Sequence, residues 1–170
     1  MTSQVTLEVP SAEALREALG FTTVQVPSLK EVILKKSDGV VYEFPEIGAA
    51  LLPEFFTEDV TSLLALDFTL AVYTDSKGSW PVYILEASSG DLTLVKERFA
   101  GIETAGAAAL GNLYLSSPGG VSAWKDGIVL GASGRYLTFT QAGASLNYAW
   151  VGNRLLLGTS YAATQEAVRR

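Results

Sequence analysis

The sequence predicts an α+β protein: mainly an antiparallel meander sheet, with a few helices packed on one face. Three observations point there. Short segments with apolar residues at every second position recur along the chain, most densely after Leu110, and are bounded by Gly, Asn, Asp or Pro. Between them lie stretches whose apolar residues fall at helical spacing behind a Ser or Thr cap. The 170 residues, 48% of them hydrophobic, suit a single domain over 1–170 with a full core.

Taken in order, Val5, Leu7 and Val9 alternate with polar neighbours, which predicts a half-buried strand over 4–9 that Pro10 ends. Ser11 then caps a helix whose stripe is Ala14, Leu15, Ala18 and Leu19, and Gly20 stops it. Residues 21–26 and 29–35 read as strands, and Asp38-Gly39 joins the second to a partner over 40–44 that Pro45 closes. Gly48 and Pro53 break the apolar stretch 46–66 into short helical pieces, one of them behind Thr57. A hairpin follows, in which Phe68, Leu70 and Val72 alternate with polar or small neighbours and the turn Asp75-Ser76-Lys77-Gly78 leads into a strand over 81–86.

Ser88 or Ser89 offers a cap for a helix carrying Leu92, Val95, Phe99 and Ile102. Six short strands are expected after Leu110, over 113–116, 121–124, 128–131, 136–141, 146–151 and 154–158. Asp126-Gly127 suits a type I′ turn among them and Gly152-Asn153 another primed turn. Thr159 or Ser160 caps a last helix, with Arg169 and Arg170 at its negative end. Hairpin followed by Ser-led helix thus occurs twice, at 68–99 and 145–170, as in a duplicated ββα unit.

Composition excludes several function classes. Twelve basic and 18 acidic residues give a net charge of −6 with no clustered basic face, which argues against nucleic acid and against anionic membrane surfaces as partners. The absence of Cys and His removes thiol nucleophiles, thiolate and imidazole metal ligands and the commonest general base, so neither a metal site nor a cofactor is expected. The first residues lack a signal-peptide pattern, and no apolar run approaches the ~18–20 residues needed to span a bilayer. Either the protein is cytoplasmic, or the chain lacks an anchor that the full-length protein carries.

Ser122-Ala123-Trp124-Lys125 matches the Ser-x-x-Lys tetrad of penicillin-binding enzymes, and Ser145-Leu146-Asn147 their Ser-x-Asn element. The tetrad falls on a predicted strand, where alternation sets Ser122 and Lys125 on opposite faces, and no Lys-Thr-Gly follows; a serine/lysine-dependent hydrolase is the reading this leaves weakest. Glu43, Glu46, Glu54, Glu58 and Asp59 lie close in sequence, as in carboxylate-dependent hydrolysis or cation binding, but helix-start acids explain them better. The Gly-rich pieces 117–120 and 131–134 lack the Gly-Lys-Ser/Thr ending of a phosphate loop and read as turns. Trp80, Trp124 and Trp150, with Tyr73, Tyr83, Tyr114, Tyr136 and Tyr148, are candidates to line a groove for sugars, peptides or an apolar ligand, although sheet cores use the same residues. Trp80 and Trp124, each beside a polar turn, and Tyr83 are taken as the binding candidates.

The segment from Asn147 through Tyr148, Trp150, Gly152-Asn153 and the Leu155-Leu156-Leu157 run to Ser160 resembles the closing strand-turn-strand-helix of a bacterial family of membrane-anchored extracytoplasmic domains of unknown function. Residues 68–72 resemble an internal strand of the same family. The resemblance implies an extracytoplasmic location, with membrane attachment only through an anchor absent from this chain. It implies a non-catalytic binding or structural module whose partner is an envelope protein or cell-wall component. The alternative is a small carrier whose sheet and helices enclose an apolar, lipid-like ligand.

Overall fold

The computed structural model describes residues 2–88 and 90–169. Eight strands form one sheet: β1 (Thr2–Thr6), β2 (Ser28–Lys35), β3 (Thr69–Thr74), β4 (Ser79–Glu86), β5 (Lys125–Val129), β6 (Ala132–Thr138), β7 (Ser145–Val151) and β8 (Arg154–Gly158). Their order is β1-β2-β3-β4-β8-β7-β6-β5, and every neighbouring pair is antiparallel except β1 with β2. The sheet is therefore two meanders, β2–β4 and β5–β8, fused where Val82 pairs with Gly158 and Ile84 with Leu156. Among the described residues six α-helices accompany it: α1 (Ala12–Leu19), α2 (Phe44–Leu51), α3 (Glu58–Thr61), α4 (Leu92–Phe99), α5 (Ala107–Leu110) and α6 (Tyr161–Val168).

Capping follows the sequence in three places and departs from it in one. Ser11 Oγ accepts from Ala14 N at 3.0 Å and Gly20 ends α1 at φ +65°, as side-chain capping and a left-handed stop require. Thr57 occupies the N-cap of α3, and Ser160 Oγ accepts from Ala163 N to start α6. The start of α4 departs: Asp91, not Ser88, caps it through Leu94 N, and Ser88 instead donates to Ser62 O. Ser89 and Arg170 lie outside the described residues, and Arg169 takes the C-cap of α6.

Strand alternation gives the sheet two unlike faces. Tyr83, Leu157 and Tyr148 lie side by side on one of them, where Phe99 of α4 meets Tyr148 and Trp150 edge-on at centroid separations of 5.4 and 6.2 Å. This face carries the main core, which Phe44, Ile47, Leu51, Phe56, Val95 and Ile102 complete. On the opposite face Val82, Gly158 and Asn147 lie in register, and a Cβ added to Gly158 would fall 2.1 Å from the Thr164 hydroxyl of α6. Gly158 is thus the point where α6 presses onto the sheet. The helices do not all gather on one face as the sequence suggested: α4 and α6 sit on opposite sides, and α6 crosses the middle of its own.

Several expected strands are not strands. Residues 21–27 are irregular, 113–116 begin on the last residue of a 3₁₀ turn and form no strand, and 121–124 keep only the bridge Val121–Phe139. The Asp38-Gly39 turn forms with Gly39 at φ +88°, but its far arm makes a single bridge, Lys35–Val41, before α2 begins; Pro45 stands in the first turn of that helix instead of closing a sheet. Asp126-Gly127 lies inside β5. The β5–β6 turn is Leu130-Gly131, with φ of +47° and +88°, the pattern of type I′. At the β7–β8 turn Gly152 alone has positive φ, +64°, as type II′ requires.

Candidate functional site

The three aromatic residues singled out from sequence do not form a common groove. Trp80 is 1% exposed, with its indole N–H donating to Asp75 Oδ1 at 3.1 Å and its ring edge-on to Phe21. Tyr83 is also buried and donates to Leu113 O; burial raises its pKa. Both are core residues, because the polar turn beside Trp80 folds its own Asp75 back over the indole, and this corrects their reading as binding candidates. Trp124 is half-buried and stacks at a tilt on Tyr148, 5.7 Å between centroids.

The Ser-x-x-Lys tetrad is also dispersed. Ser122 Oγ accepts from Thr138 N and Thr138 Oγ1 at 2.9 and 3.1 Å, whereas Lys125 stands exposed on β5 opposite Tyr136; among the described residues no hydrogen bond joins the two. The carboxylate run divides in the same way. Glu46 Oε2 accepts from Glu43 N at the start of α2 while its Oε1 pairs with Lys36 Nζ at 2.8 Å, and Glu58 and Asp59 lie in the first turn of α3. Among the described residues no group of His, Cys, Asp or Glu is arranged to hold a metal ion.

What the fold does assemble lies beside α6, on the less covered sheet face. A cavity of about 310 Å³ is bordered by Gly127 and Val129 of β5, Tyr136 and Thr138 of β6, Ser145 and Asn147 of β7, and Tyr161 at the start of α6. The register explains the grouping: Thr138 lies opposite Ser145, Tyr136 opposite both Asn147 and Lys125, and Gly127 opposite Gly134, so their side chains share one face. Gly127 leaves room for the Tyr136 ring, since a Cβ there would sit 2.8 Å from that ring. Tyr161, 45% exposed, leans across from α6 and donates its hydroxyl to Ile128 O at 3.2 Å. Two tyrosine rings, one from the sheet and one from α6, therefore border the cavity.

Two nearly buried polar side chains stand at its floor. Asn147 is 2% exposed and Ser145 7%. Asn147 Nδ2 donates to Ser145 O at 2.9 Å and to Ser145 Oγ at 2.8 Å. A backbone carbonyl only accepts, so these contacts fix the amide orientation and leave Asn147 Oδ1 on the other side. Among the described residues no group donates to that oxygen, which keeps contact with solvent, and Ser145 Oγ accepts from Asn147 Nδ2. The floor offers one acceptor and one donor, less than about 5 Å apart because both neighbour the same Asn147 nitrogen.

Charge is kept off this floor. Arg135 reaches the rim only through its backbone; its guanidinium is on the core face, where Nε and Nη2 hold Glu103 at 2.9 and 2.6 Å and Nη1 holds Asp126 at 2.9 Å. Glu103 Oε1 also accepts from Tyr148 Oη at 2.6 Å. Hydrogen bonding by Arg135 holds the Glu103 carboxyl below its ordinary pKa against the opposing effect of burial. In the sequence Tyr136 stands as one of eight aromatic candidates and Ser145 and Asn147 only as a catalytic echo, while Tyr161 carries no local signal because its position depends on where α6 crosses.

Comparison with protein-family models, with curated proteins and with solved structures gives no match.

Proposed function

We propose that the protein is a non-catalytic binding module of a bacterial envelope protein, acting outside the cytoplasm, and that it engages an envelope or cell-wall component through the cavity between β5–β7 and α6. One observation carries the reading: Ser145 and Asn147 are more than nine-tenths buried, yet both line the cavity, and among the described residues Asn147 Oδ1 receives no hydrogen bond and the Ser145 hydroxyl serves only as an acceptor. A polar group that faces a cavity with hydrogen-bonding capacity to spare gains a bond from a complementary ligand, worth ~0.5–1.5 kcal/mol net. The neutral floor and the separation of Ser122 from Lys125 favour binding over turnover. The resemblance of residues 147–160 to extracytoplasmic domains supports the location.

The test is a ¹⁵N NMR titration with solubilised cell-wall and envelope fragments. Shift changes centred on Gly127, Tyr136, Ser145, Asn147 and Tyr161, with the fragments recovered intact, are expected. Fragments that bind but shift only amides elsewhere, or that are hydrolysed, refute the reading.

A further inference from the structure

Resting on that reading, we infer that the cavity ligand is a neutral carbohydrate, held with one pyranose ring between Tyr136 and Tyr161 and two adjacent hydroxyls on Ser145 and Asn147. The polar floor selects the functional group. Ser145 supplies a proton and Asn147 Oδ1 receives one within less than about 5 Å, so the complementary ligand edge must accept and donate at neighbouring atoms. A vicinal diol does this, because each hydroxyl is both donor and acceptor and its two oxygens are neighbours. A carboxylate satisfies only Ser145 and meets a carbonyl oxygen at Asn147; an ammonium satisfies only Asn147. An acyl chain leaves both unpaired, which separates this site from the apolar-carrier alternative.

The walls select the rest of the ligand. A pyranose presents C–H groups on its flat faces, and tyrosine rings take up such faces while keeping their hydroxyls at the rim. Tyr136 lies over Gly127 and Tyr161 is tied to Ile128 O, so both rings are positioned before a ligand arrives. The guanidinium of Arg135 is occupied on the other face by Glu103 and Asp126, and Lys125, exposed beside Tyr136 on the cavity's own face, does not line the cavity, so the floor itself presents no charge. A volume of about 310 Å³ admits one ring with its substituents rather than a chain of rings, so a polymer would enter by its end or by a single side residue.

The experiment uses the whole chain and three probes by ¹⁵N NMR: methyl β-D-glucopyranoside, D-glucuronate and propionamide. A site of this kind holds the glucoside with a dissociation constant of about 1 mM. The expected result is that the glucoside shifts Ser145, Asn147, Tyr136 and Tyr161, that glucuronate binds at least fivefold more weakly, and that Ser145→Ala and Tyr161→Ala each weaken the glucoside at least fivefold with an unchanged ¹⁵N spectrum outside the cavity. Binding of propionamide but not glucoside overturns the carbohydrate assignment, as does glucoside binding that Ser145→Ala leaves intact. If envelope fragments shift the cavity while the glucoside does not, only the ligand class falls; if neither shifts it, the binding reading falls as well.

Discussion

Replacing Glu103 tests how the second meander is fastened to the helical layer. Its carboxylate accepts two hydrogen bonds from Arg135 and one from Tyr148, joining the 3₁₀ turn at Ala100–Thr104 to β6 and β7. A bond to a charged group is worth ~1.5–3 kcal/mol when buried, but the Arg135 and Glu103 side chains are 31% and 22% exposed, so solvent screening brings the pair to about 1 kcal/mol. The Tyr148 hydroxyl adds about 1–1.5 kcal/mol, since its ring is buried and loses its acceptor. Glu103→Ala should therefore cost about 2–2.5 kcal/mol in urea unfolding followed by tryptophan fluorescence, and Tyr148→Phe about 1 kcal/mol. The double variant should cost about 1 kcal/mol less than the sum, because both substitutions delete the same bond.

The same group gives a pH signature. Its folded pKa lies below the unfolded value of about 4.3, so its stabilisation is complete above that value and is lost as pH falls through the folded pKa. The stability gap between the wild type and Glu103→Gln should accordingly be largest at pH 7 and shrink at pH 3, while other carboxylates cancel in the difference. A coupling below about 0.3 kcal/mol, or a gap that widens at low pH, refutes the reasoning.

Tyr114 Oη is the one buried side-chain oxygen or nitrogen without a partner among the described residues, so Tyr114→Phe should raise stability by about 1 kcal/mol, measured by urea midpoint. Leu130 holds φ +47° in the β5–β6 turn, a conformation that Asn tolerates better; Leu130→Asn should gain about 0.5–1 kcal/mol, and a loss would show that its side chain is needed where it stands. Gly158→Ala places a Cβ against Thr164 and should cost about 1–3 kcal/mol, with Thr164→Ala restoring part of it in the double variant by thermal unfolding. Asp91→Ala should lower stability by about 1 kcal/mol through the α4 cap, whereas Ser88→Ala should stay within about 0.5 kcal/mol.

Elements whose signal is local were legible in the sequence. The α1 boundaries, the β3–β4 hairpin and the β7–β8 turn each rest on residues within a few positions of one another: Ser11 and Gly20, Asp75 and Gly78, Gly152. The errors arose where a local preference met a stronger distant one. Asp126-Gly127 has the composition of a turn, yet Gly127 is used to make room for Tyr136 across the strand, and the bend falls on a leucine that sequence alone would not place there. The cavity was half legible. Ser145 and Asn147 were visible as a pair, but their common face with Tyr136 depends on register, and Tyr161 depends on the Gly158–Thr164 contact that sets the α6 crossing.

The fusion of the two meanders at β4 and β8 orders events during synthesis. β4 forms its hairpin with β3 early, from residues close in the chain, but its other edge stays unpaired until the last strand emerges. That edge carries Val82, Ile84 and Leu85, an apolar template open to other chains for as long as translation of the second meander lasts. Chains interrupted before Arg154 would retain an apolar edge without β8 to close it, and are expected to self-associate more readily than chains that include β8 and α6.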